Sequence, residues 1–182
     1  MVLKNRKRML KEPRYHYACH EAAHAIVCLE EDLNFECIRL CDEETNSPNG
    51  LGPATRHGQF VPTNESMTRQ TAFSETRINL AGVAFEKLLR PHHSYAVICV
   101  FGKGASDWHG AMESCEFGLY DKSKGNEIER FMFKHLYPPV RALVAERWSD
   151  IATVGDALAQ CGKLNQAEVI HVLSGKRPKA RP

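Results

Sequence analysis

Several absences narrow this 182-residue chain first. No stretch approaches the roughly 18 consecutive apolar residues of a membrane span, and the opening MVLKNRKRML has no apolar core of a secretory signal. The reading is a soluble cytoplasmic protein, with no membrane partner. No C-x-x-C pair occurs among Cys19, Cys28, Cys37, Cys41, Cys99, Cys115 and Cys161, and their number is odd, which excludes a regular disulfide framework and fits reduced thiols. No G-x-x-x-x-G-K-[ST] phosphate loop is found either, so these residues have no nucleotide-binding signature. Internal repeats and low-complexity stretches are also missing.

Charge is nearly balanced overall at +2 but unevenly placed. Residues 1–14 are rich in Lys and Arg, residues 175–182 carry four basic side chains and no acid, and the body between them is acidic. Neither end interleaves aromatics or carries a reading motif, so nucleic acid is not an indicated partner and solvated arms are expected. The division expected is a basic arm over 1–14, one domain over 15–174 and a basic tail over 175–182. A hydrophobic share of 43% suffices for the core of that one domain.

What is present is His20-Glu21-Ala22-Ala23-His24, an H-E-x-x-H. With 9 His in the chain, random placement yields about 0.04 such matches, so chance is a poor explanation. On a helix, positions i and i+4 share a face, which lets two imidazoles converge on one Zn²⁺. The adjacent Glu21 can then act as general base toward a metal-activated water whose pKa is lowered to about 7. The surroundings are helical: residues 15–30 contain four Ala and no Gly or Pro, while Pro13 stands where a helix tolerates it.

Further along, Phe35 to Leu40 alternates as a strand, a loop rich in Asn, Ser, Pro and Gly follows, and Ala54 to Val61 can return as its antiparallel partner. Helices are expected over 66–90, 106–120, 126–148 with a kink at Pro138-Pro139, 151–160 and 166–174. The fold class is therefore mainly α with a small β-sheet edge, α+β. An extended substrate can add to that edge, along Phe35–Leu40 or Ala54–Val61.

The blocks YHYACHEAAHAIVC, INLAGVAFEKLL, GKGASDWHGAME and ERWSDIATVGDALAQCGKLNQAEVIHVL together resemble the protease domain of the FtsH family of ATP-dependent zinc metalloproteases. The resemblance covers nearly the whole chain and implies a zincin helical bundle that cleaves polypeptides. It also implies the third ligand, an Asp of a G-A-x-x-D type segment, whose corresponding position here is Asp107 in Gly104-Ala105-Ser106-Asp107-Trp108. Asp107 is alternatively an N-cap, and Glu86 is the competing carboxylate, either as third ligand or as a residue orienting a ligand His. His92, His93 and His109 are further nearby donors.

The family carries an AAA ATPase module and forms homohexamers. The resemblance thus implies a homo-oligomer and, as an alternative to an independent peptidase, a binding or regulatory subunit working with a separate AAA ATPase. Two positions depart from the family pattern: Ala23 replaces its Gly, and Val83 stands where an Arg is usual.

Overall fold

The computed structural model describes residues 2–41, 58–63, 68–69, 71–99, 104–119 and 125–175. Nine α-helices and one short antiparallel sheet occur among them. The central element is α2 (Pro13–Glu30), preceded by α1 (Val2–Lys11). Pro13 begins α2, where its missing N–H costs nothing. The run from Ala18 to Cys28 is buried throughout, so α2 is enclosed on all sides, as its Ala-rich composition permits.

The mainly α fold with a small sheet edge is what the structure contains. The strands β1 (Phe35–Leu40), β2 (Gly58–Pro62) and β3 (Lys163–Asn165) lie in the order β2-β1-β3, antiparallel throughout. Ile38 pairs with Phe60 on one side and Leu164 on the other. The register shifts between Phe35 and Cys37, and both side chains are buried. Two corrections follow. Phe35–Leu40 is the middle strand and offers no free edge, which leaves β2 as the edge beside α2 among the described residues. The expected return strand starts at Gly58 in the structure, and residues 54–57 lie outside the described residues.

Helix α3 (Ala72–Leu89) packs on α2 and on α5 (Ala105–Gly118), with the short α4 (Tyr95–Cys99) between them in sequence. The helix expected over 66–90 is α3, which starts only at Ala72: Thr68, Arg69 and Thr71 are in a turn closed by the Thr71 N–H on Thr68 O, and residues 66, 67 and 70 lie outside the described residues. Then come α6 (Gly125–Phe131), a π-helical turn at Met132–Leu136, α7 (Tyr137–Glu146), α8 (Trp148–Cys161) and α9 (Gln166–Leu173). The irregularity expected at Pro138-Pro139 falls just before it. Neither proline has an N–H for the carbonyls of Lys134 and His135, and the Tyr137 N–H bonds Met132 O, five residues back.

Gly162 at φ +74 closes α8 in the left-handed region, and an Asn165–Glu168 capping box opens α9. Helix α2 approaches α8 closely at Gly155, where an added Cβ would stand 2.4 Å from Cys19 Sγ.

The N-terminal segment differs from the solvated arm expected of it. Residues 2–11 are helical, Met9 is 1% exposed, and the Arg6 guanidinium donates to Leu89 O at 3.0 and 3.2 Å. Arg8 pairs with Glu12 and Asp156 and lies over the Tyr15 ring. A basic segment whose apolar residues are only Val2, Leu3, Met9 and Leu10 has too few to reveal docking by periodicity. The C-terminal residues 176–182 lie outside the described residues. No helix among the described residues is long and apolar enough to cross a membrane.

Candidate metal centre

Two helical stripes face each other at the centre of the molecule. On α2, His16, His20 and His24 recur every fourth residue; on α3, Ile78, Gly82 and Glu86 do the same. The helices run antiparallel, so His16 and His20 meet Glu86 at one end and His24 meets Ile78 at the other. At the middle, where Gly82 presents no side chain, α5 inserts Asp107.

Nε2 of His20 lies 3.3 Å from Nε2 of His24, and Asp107 Oδ2 lies 3.0 Å from the first and 3.6 Å from the second. Among the described residues these three form the one group whose donor atoms all fall within 4.8 Å of one another. Asp107 is in the first turn of α5, whose N-cap position is Gly104, so it is not the cap residue that its place in the sequence allows. Asp107 Oδ2 is buried, yet no donor reaches it with hydrogen-bond geometry. A buried carboxylate oxygen placed between two imidazole nitrogens is suited to a cation.

The opposite ring nitrogens determine which atoms face the cluster. His24 Nδ1 donates to the Ile78 carbonyl at 2.7 Å, and that oxygen can only accept. His20 Nδ1 donates to Glu86 Oε1 at 3.3 Å. With Nδ1 protonated in each ring, a cation bound at the cluster would meet the Nε2 atom of each in the tautomer that ligation needs. Burial disfavours the charged form of both rings, but Asp107 outweighs it and holds both above the ordinary histidine value. Burial likewise pushes Asp107 upward, and His24 and His20 more than reverse this, drawing its carboxyl well below the usual range.

Gly82 is what lets the three residues meet. A Cβ there would lie 2.2 Å from Asp107 Oδ2, 2.7 Å from His24 Nε2 and 2.8 Å from His20 Cε1. A cradle too tight for a methyl group, lined by two imidazole nitrogens and a carboxylate oxygen, fits a first-row divalent ion in donor type and number and leaves the fourth position to water or substrate.

Glu21 is 6% exposed on the same helix. Burial raises its pKa, and the pull of His20, His24 and a hydrogen bond from the Phe60 backbone on β2 only partly offsets this. The Phe60 ring also packs 5.9 Å from that of His24, so β2 forms one wall of the centre.

Of the carboxylates weighed for the third ligand, Asp107 is in the cluster. Glu86 lies behind His20, where its oxygens are taken by His16, His20 and Arg90. His92, His93 and His109 are outside the site: the first two are exposed, and His109 pairs with Glu113 on its own helix, at 3.2 Å. Sequence reasoning missed His16, Gly82 and Arg90. The spacing of four before His20 and four after Glu86 is the signal that could have marked His16 and Arg90. Val83 and Ala23 are both fully buried in apolar packing. No protein-family model matches the chain, and no curated protein matches it.

Proposed function

We propose that the protein is a zinc-dependent endopeptidase that hydrolyses peptide bonds in unfolded polypeptides. The observation carrying this reading is the convergence of His20, His24 and the unpartnered Asp107 oxygen beside the buried carboxylate of Glu21. His20, His24 and Asp107 are the residues to hold the ion. Zinc bound there supplies Lewis acidity toward a peptide carbonyl and acidifies water.

The remaining chemistry belongs to side chains of the protein. Glu21 takes a proton from the attacking water and returns it to the leaving amine. Its raised pKa makes it a better proton acceptor than an exposed carboxylate, and the hydrogen bond from the Phe60 backbone holds it beside the cluster. The free side of β2 accommodates an extended peptide through backbone hydrogen bonds, the mode by which sheet edges bind unfolded segments. The sequence blocks that resemble FtsH-type protease domains support the same reading. The alternative, a binding or regulatory subunit served by a separate AAA ATPase, is favoured by the lack of a phosphate loop in these residues, whereas Glu21 beside the cluster favours catalysis.

Incubation of a casein-like disordered protein and a stable globular one with wild type, Glu21→Gln and chelator-treated protein, all without ATP, tests the proposal. Wild type should cleave only the disordered substrate. Chelation should abolish cleavage, and Glu21→Gln should slow it by about 10²- to 10⁴-fold. Equal cleavage by wild type and Glu21→Gln, or none by any form, overturns the peptidase reading.

A further inference from the structure

Glu86 is a carboxylate with 4% of its side chain exposed, and both of its oxygens are engaged. Oε1 accepts from His16 Nε2 at 2.6 Å and from His20 Nδ1 at 3.3 Å, and Oε2 accepts from the Arg90 guanidinium. His16 is itself buried, one turn before His20 on α2, and its ring lies 5.9 Å from that of Phe85. Arg90 follows the last turn of α3, four residues after Glu86, with 26% of its side chain exposed. Arg90 Nη1 also lies 3.5 Å from His16 Nε2; at that distance the shorter Glu86 bond decides the orientation of the His16 ring.

The bond from His20 is the longest of the contacts with Glu86 that orient the imidazole, so it cannot hold the carboxylate by itself. Deprived of His16 and Arg90, a buried carboxylate with one weak partner would reorient toward whatever donor or cation it could reach. The metal cluster is on the other side of the same ring. With His16 and Arg90 present, the carboxylate is turned away from the cluster and fixed as an acceptor behind His20. That keeps the His20 Nδ1 proton in place and Nε2 aimed at Asp107.

We propose that His16 and Arg90 are positioning residues that clamp Glu86 behind His20 and thereby set the metal affinity of the site. The inference rests on the reading of His20, His24 and Asp107 as metal ligands, but it does not depend on peptidase activity.

The test is a Co²⁺ titration of the full chain against a competing chelator, reading both affinity and the visible d–d spectrum, with thermal melting in parallel. His16→Leu keeps bulk and loses the donor, whereas His16→Gln keeps an N–H within reach of Glu86. Arg90→Ala removes the charge, and Arg90→Lys retains it. The Leu and Ala variants should each weaken Co²⁺ binding by about 10- to 100-fold and alter the d–d band, with the Gln and Lys variants recovering most of the affinity.

Wild-type affinity and spectrum in both loss variants overturn the clamp while leaving the metal site standing; so does failure of the conservative variants to recover. A wild type that binds no Co²⁺ overturns both the metal site and the clamp. If His16→Leu does not fold, the pair of variants at the partly exposed Arg90 decides alone.

Discussion

Replacing Gly82 by Ala adds a single methyl group where the structure has no room for one. The new Cβ would stand 2.2 Å from Asp107 Oδ2, and real Cβ atoms essentially never approach a neighbour within 3.0 Å. Asp107 would therefore have to retreat by about 0.8 Å, and His24 Nε2 and His20 Cε1 would have to yield as well. Metal–ligand distances hold to about ±0.2 Å, so a displacement of that size removes a ligand in effect. Zinc affinity should fall by more than the about 10- to 100-fold typical of a disturbed outer partner.

The fold should survive this change. Ala favours a helix interior over Gly by about 1 kcal/mol, whereas overpacking costs about 1–3 kcal/mol, so metal-free stability changes by at most about 2 kcal/mol. Gly110→Ala is the control: its Cβ would sit 3.2 Å from the Asn79 amide, on the same α3–α5 contact but away from the ligands. Isothermal titration with zinc and thermal melts of the metal-free proteins would compare them. Zinc bound by Gly82→Ala as tightly as by wild type would refute the geometry argued for the site.

Three further outcomes are expected. Deleting residues 1–12 should destabilise the protein by about 1.5–3 kcal/mol through loss of the Met9 contact alone, as read by urea unfolding; an unchanged midpoint would mean that α1 does not dock. Burial pushes the Glu31 carboxyl up, but the Arg77 guanidinium at 2.5–2.6 Å and the Ser74 hydroxyl outweigh it and hold its pKa below the ordinary value. Its stabilising contribution is therefore complete above about pH 4.3 and lost as pH falls through the lowered folded value, so the gap between wild type and Glu31→Gln in urea should narrow between pH 6 and pH 3; a constant gap would contradict the pairing. The Cys28 thiol, pushed up to about 12 by burial and nearby carboxylates, should resist alkylation in the native protein at pH 8 and react after denaturation.

How much of this was legible in the sequence depended on range. The i, i+4 histidines and the Ala-rich run around them are local, and α2 is where they indicate. Strand β1 also announced itself, but its partner β3 is three residues long, too short for alternation to be visible, so β1 read as an edge when it is the middle strand. The candidate site was half legible for the same reason. His20, Glu21 and His24 follow from one helical turn, whereas the entry of Asp107 depends on a gap at Gly82 in another helix. A choice between Asp107 and Glu86 needed the antiparallel crossing of α2 and α3, which pairs Glu86 with the Nδ1 side of His20. Likewise α1 docks through Met9, the bond of Arg6 to a backbone carbonyl and the pairing of Arg8 with Asp156, contacts that leave no periodic mark.

The central claim is that His20, His24 and Asp107 hold one metal ion, with Glu21 outside the ligand set. Elemental analysis of zinc in the purified wild type, Asp107→Ala, Glu86→Ala and Glu21→Gln tests it most directly. The account predicts about one zinc per chain in wild type and Glu21→Gln, a reduced but measurable content in Glu86→Ala, and none in Asp107→Ala. Full occupancy in Asp107→Ala, or a wild type without metal after reconstitution, would contradict it.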